Sequence, residues 1–126
     1  MLRDCKIVAF IATADSAKAR SFYEGVLGLD FISDDEFAIV LDANGVELRI
    51  QKVKALMPHA HTQLGWRTTA IEGVVQTLRG RGVVFERFPH LQQNALGIWV
   101  APSGTKVAWF KDPDGILLSL SESMNG

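Results

Sequence analysis

The chain has a single cysteine, Cys5. An internal disulfide is therefore excluded, and a reducing compartment is the natural setting. Net charge is almost lacking as well: 13 Lys and Arg against 14 Asp and Glu give −1, with the cations scattered along the chain. That pattern gives neither the footprint of a nucleic-acid binder nor the basic patch of a protein held on anionic lipid. Long apolar runs are missing too. The stretch Ile7 to Ala12 is too short to span a bilayer, and Arg3, Asp4 and Lys6 before it do not make the layout of a signal peptide. A cytoplasmic location is expected, with no membrane and no nucleic acid among the partners. Phosphate-cradling glycine motifs are absent, because Gly25 and Gly28 close an apolar helical stripe and open no helix. No activated nucleophile emerges either. Cys5 precedes the first strand without a matching His and reads as a buried apolar filler, while Ser119 lacks an evident base.

What is present is the composition of one folded domain, 1–126, with 48% hydrophobic and 21% charged residues. Lys6 to Thr13 reads as a buried strand. Asp15 or Ser16 offers an N-cap, and Ala19, Phe22, Tyr23, Val26 and Leu27 form one helical stripe that Gly28 stops. Strands follow at Leu29–Ile32, Phe37–Leu41 and Val46–Gln51, the last two joined by a hairpin turn at Asp42–Gly45. After a polar linker, about 52–62, the order repeats: strand Gln63–Thr69, helix Ile71–Arg81 ended by Gly82, then strands Val83–Phe85, Leu96–Val100, Lys106–Phe110 and Ile116–Ser121. Gly28 and Gly82 end their helices 54 positions apart, and Gly45 and Gly115 precede the closing strands 70 apart. The second copy is longer by about its Arg87–Ala95 loop. The fold class expected is α+β, with two tandem βαβββ modules at about 5–51 and 63–122. The strand–helix–strand crossover favours parallel pairing, and the hairpins continue antiparallel. Each sheet would be covered by its helix on one face only, so the other face must be buried against its twin or a second chain.

Two segments carry a family resemblance. Asp15 to Leu29 (DSAKARSFYEGVLGL) resembles the first-helix signature of the vicinal oxygen chelate superfamily, the glyoxalase, bleomycin-resistance and extradiol-dioxygenase group. Trp109 to Gly115 (WFKDPDG) resembles its closing signature, and LGIW at Leu96–Trp99 with KVAWFKDPDG at Lys106–Gly115 looks like an uncharacterised bacterial branch. The resemblance spans nearly the whole chain. It implies paired βαβββ modules forming a cupped mixed sheet around a cavity, and a frequent homodimer.

It also implies a divalent metal held by side chains of four strands, two per module, with open positions for vicinal oxygens of a substrate. Counting from the matched motifs places those four positions at Val8, Arg49, Gln63 and Ser119. Valine cannot coordinate, a guanidinium repels a cation, and serine is a poor neutral ligand. No cofactor is expected, and a metal bound in the family manner is not. A relocated site could draw on Glu47, His59, His61, His90 or Glu86, although Glu47 reads more simply as a partner of Arg49 and the linker histidines as solvated.

Strand alternation puts Val8, Phe10 and Ala12 on one face, and Gln63, Gly65 and Arg67 on the matching face of the second module, with Leu117 and Ser119. A cavity walled by Phe10, Leu117, Trp99 or Trp109, with Arg49, Gln63, Arg67 and Ser119 as its polar groups, suits a small molecule. Two arginines favour an anionic or carbonyl-rich planar ligand. The plainer alternative is that they pair with Glu47 or Glu72, and that the tryptophans serve the core or a dimer interface. Function stays open between three readings. The preferred one is a metal-free binder of an aromatic or anionic molecule. The others are a lyase or dioxygenase with a relocated metal or metal-independent acid–base chemistry through Gln63 and the arginines, and an accessory dimer without a ligand.

Overall fold

In the first half, the strand before the helix does not pair with the strand after it. The computed structural model describes residues 1–124, which divide into two units, Met1–Met57 and from Pro58 onward. Each unit holds one four-stranded sheet. In the first, β1 (Val8–Thr13) lies parallel to β4 (Val46–Lys52), and β3 (Ala38–Ala43) and β2 (Asp30–Asp34) follow antiparallel, in the order β1-β4-β3-β2. The crossover thus runs to the far edge of the sheet, and the hairpins return the chain to the side of β1. Asn44 (φ 53°) and Gly45 (φ 91°) both take left-handed backbone in the β3–β4 turn, the conformation a tight hairpin needs.

The Asp15 cap forms as the sequence predicts: its carboxylate accepts from the Lys18 N–H at 3.2 Å and opens α1 (Ser16–Arg20). The single stripe does not continue as a regular helix, however. Ser21–Val26 is a π-helical turn, in which the Leu27 N–H donates to the Phe22 carbonyl at 2.9 Å. The wider turn changes which residues face inward. Ala19 and Tyr23 are fully buried, and Phe22, Val26 and Leu27 only partly. With Ile11, Ile39, Leu41, Leu48 and Ile50 they form the core of the first unit.

The second unit repeats the plan: β5 (Leu64–Arg67) is parallel to β8 (Leu117–Glu122), then β7 (Lys106–Lys111) and β6 (Trp99–Val100) follow antiparallel. Helix α2 (Ile71–Gly80) contacts β7 and β8 and buries Ile71, Val75 and Leu78, with Val74 half-buried. Leu118, Leu120, Ala108 and Phe110 complete that core. Two expected strands are shorter than their composition suggests. Val83–Phe85 makes only one bridge, Phe85 to Phe110, and Leu96–Val100 is a strand only at Trp99–Val100. Side chains take the ladder's place here. Gln93 donates to the Glu86 and Gly97 carbonyls and accepts from the Phe88 N–H, while Asn94 accepts from the N–H groups of Leu96 and Ile98.

Register shows the repetition inside each unit separately. Phe10 stands opposite Arg49 in the first, and Gly65 opposite Ser119 in the second. The shifts that carry the first pair onto the second are the same ones that relate Val8 to Gln63 and Gly45 to Gly115. The closing DPDG segment is structural. Asp112, buried, accepts the N–H groups of Asp114 and Ile116 at 2.9 and 3.0 Å, and Gly115 supplies φ 88°. Cys5 is exposed, against the expectation of a buried filler, because the short 3₁₀ turn before it (Leu2–Asp4) buries nothing.

Candidate functional site

In the first unit, pairing sets Glu47 between Val8 and Asp42, and Arg49 between Phe10 and Val40, all on the face opposite Ile11 and Ile50. Phe10 is 57% exposed, a large apolar ring on the surface of its own unit. Arg49 donates to the Glu47 carboxylate at 3.4 Å, and both side chains are partly exposed.

In the second unit, the corresponding face is built in three ranks. Arg67, Ser121, Val107 and Trp99 form one rank, and Gly65, Ser119 and Trp109 the next. The third holds Gln63, whose N–H donates to the Leu117 carbonyl, with Leu117 and Lys111. Trp99 and Trp109 lie with ring centroids 6.0 Å apart and 35° between planes. Phe88 meets Trp109 edge-on at 5.3 Å, and His90 lies 6.1 Å from Phe88. The result is a row of half-exposed aromatic rings beside a floor cleared by Gly65. Phe88 is the member of this row that sequence reasoning missed. A single aromatic in a polar loop was its only signal, and its N–H is held by the Gln93 side chain five positions on, in a loop without regular periodicity.

Beyond the row, a pocket of about 460 Å³ is lined by His59, Glu86, Phe88, Lys111 and Leu117 with the backbone around Gly115. Lys111 and Glu86 pair across it at 3.5 Å. His59 stacks on His61 at 5.0 Å.

The two arginines behave differently. Glu72, one possible partner of Arg67, bonds Lys106 at 3.0 Å instead. The Lys106 ammonium holds that carboxyl below its usual range, and Glu72 raises Lys106 in turn. Arg67 makes no ion pair among the described residues.

The four positions that the family resemblance assigns to metal ligands hold Val8 and Arg49 in one unit and Gln63 and Ser119 in the other. In the first unit an alkyl group and a paired guanidinium offer a divalent cation nothing, and in the second one amide and one hydroxyl are weak neutral donors, so neither pair fits such an ion. Among the described residues, no cluster of three or more His, Cys, Asp or Glu side chains could hold a metal elsewhere. Among them also, no helix is long and apolar enough to cross a membrane.

Two βαβββ units in tandem, each with its first strand parallel to its last, define the glyoxalase-like fold class. Residues 6–120 match the family model of the Glyoxalase/Bleomycin resistance protein/Dioxygenase superfamily, and the chain belongs to that superfamily. A superfamily member from Sphaerobacter thermophilus is 24% identical, with a TM-score of 0.74 over 94% of this chain and 96% of the other. A bleomycin-binding protein solved with bleomycin is 20% identical, with a TM-score of 0.71 over 94% and 98%. Lactoylglutathione lyase from Agrobacterium tumefaciens is 12% identical, with a TM-score of 0.73 over 94% and 93%. A binder and an enzyme are thus equally similar in fold, and fold does not choose between them. No curated protein sequence matches the chain.

Proposed function

We propose that the chain binds a small aromatic or anionic molecule without a metal of the family type. The observation that carries this reading is the aromatic row Phe88–Trp109–Trp99 beside the Gly65–Ser119 floor, with Arg67 on the same face and without an ion pair among the described residues. Flat rings offer stacking area, and a guanidinium adds paired donors for a carboxylate or carbonyl. Gln63 and Ser119 would give the ligand neutral hydrogen bonds. A relative of the same fold binds bleomycin, and that supports a binding role by analogy.

The protein is read as a cytoplasmic homodimer. Each sheet ends on an outer strand, β2 or β6, and Ile32 and Phe37 are exposed at the first. Sedimentation at micromolar concentration should give twice the chain mass.

Native mass spectrometry of the purified protein, with elemental analysis after incubation with divalent metals, tests the binding reading. The expected result is a released organic molecule, or ligand-induced thermal stabilisation by an aromatic carboxylate, without stoichiometric metal. Tight stoichiometric metal, lost on Glu47→Gln or His61→Ala, would overturn it in favour of an enzyme with a relocated metal.

A further inference from the structure

We propose that the hollow between the C-terminal end of α2 and the segment following it is a second binding site, for an organic anion with a compact apolar body such as an aromatic carboxylate. The hollow measures about 310 Å³, and Arg79 and Arg87 both line it with Val84, Phe85 and Leu96. Among the described residues no carboxylate lines it, so the two guanidinium groups share the hollow without an anionic partner.

Arg87 is already positioned. Its terminal nitrogen donates to the Asn94 and Ala95 carbonyls at 2.8 and 2.9 Å. Those neutral acceptors fix the guanidinium and leave its charge for a ligand. Arg79 has no ion pair or side-chain hydrogen bond among the described residues. A helix C-terminus ordinarily repels anions. Here the N–H groups of Arg81, Gly82 and Val83 cap the carbonyls of Thr77, Leu78 and Arg79, which reduces that repulsion.

The backbone is exposed at Gly82, whereas Gly97 is buried against Phe85. Gly82 (φ 94°) and Gly97 (φ 85°) line the hollow in left-handed conformations that disfavour any side chain. Val84 is 76% exposed at this site.

This hollow is separate from the aromatic face. Phe85 packs on Phe110 at 5.4 Å, and Phe110 belongs to the buried, helix-covered side of β7, whereas the adjacent Trp109 points the other way. A ligand here leaves the Trp99–Trp109 row accessible, so failure of one site does not imply failure of the other.

The test titrates 3-phenylpropionate into the isotopically labelled full-length chain and follows the amide signals of Gly82 and Gly97. The neutral amide, 3-phenylpropionamide, is the comparison. Saturable shifts at both glycines are expected, with the amide weaker by about tenfold, since a carboxylate makes charge-assisted bonds that an amide cannot. Arg79→Gln should weaken the acid by a similar factor, and Arg79→Lys should recover part of it. Arg79 is exposed on α2, so its variants should fold, which their melting curves check. Equal binding of acid and amide, unchanged binding by Arg79→Gln, or shifts confined to Trp99 and Trp109 would each overturn the proposal.

Discussion

The Ser119 hydroxyl fills the space that a β-carbon on Gly65 would need, 2.5 Å from where that carbon would stand. The two residues face each other across the parallel β5–β8 pair, in the middle of the face proposed to take a ligand. A glycine is required here by its neighbour, not by its backbone angle. Gly65→Ala should force Ser119 into another rotamer and cost about 1 kcal/mol. Ser119→Ala removes the obstructing oxygen, so the double variant should be more stable than the single costs predict. A double-mutant cycle of denaturant unfolding measures that coupling, and strict additivity would show that the contact is not felt.

Trp109 joins the aromatic row to the sheet. Trp109→Ala should abolish the rise in melting temperature produced by an aromatic carboxylate at the aromatic face. It should also cost about 1 kcal/mol of stability through the lost edge contact with Phe88, beyond the area it uncovers. Thermal melts with and without ligand read both effects. A variant that is destabilised yet keeps its full ligand response would remove Trp109 from the binding face.

Glu47 pairs with Arg49 at 3.4 Å within the first unit, and the pair is exposed enough to be worth no more than about 1 kcal/mol. Glu47→Gln should therefore leave the melting temperature nearly unchanged. Thermal melts of the variant beside the unmodified protein give the comparison, and a large fall would mean that the pair is needed to hold β4 in place.

Asp35 holds the turn between β2 and β3. Its carboxylate accepts the Phe37 and Ala38 N–H groups at 2.8 and 2.9 Å, and those bonds lower its pKa below the ordinary 3.8. A lowered folded-state value means a stabilising contribution fully present above the unfolded value and lost as pH falls through the folded one. Asp35→Ala should melt below the unmodified protein at pH 7, with the gap closing below pH 3.8. Melting curves taken across that range check the sign.

Much of the frame was legible because its signals are local. Asp15 caps a helix through its own carboxylate, Gly28, Gly45 and Gly82 take left-handed backbone where turns require it, and β-branched alternation marks the strands. Repetition of those signals placed Val8, Arg49, Gln63 and Ser119 in equivalent registers, and that is arithmetic along the chain. The π-helical turn at Ser21–Val26 was not legible, because the same apolar spacing suits a regular helix. Nor were the short bridge at Phe85 and the small strand at Trp99–Val100, where Gln93 and Asn94 side chains replace ladder hydrogen bonds.

The sequence by itself therefore determined two βαβββ modules and the equivalence of Val8 with Gln63 and of Arg49 with Ser119. Tertiary structure alone decided the rest. Lys106 takes Glu72 and leaves Arg67 without an ion pair among the described residues. Phe88 folds back onto Trp109, and Arg79 and Arg87 line one hollow without a carboxylate. Such outcomes depend on which side chains come within a few ångströms through space. Periodicity and composition fix the faces on which residues stand, but not the neighbours they meet.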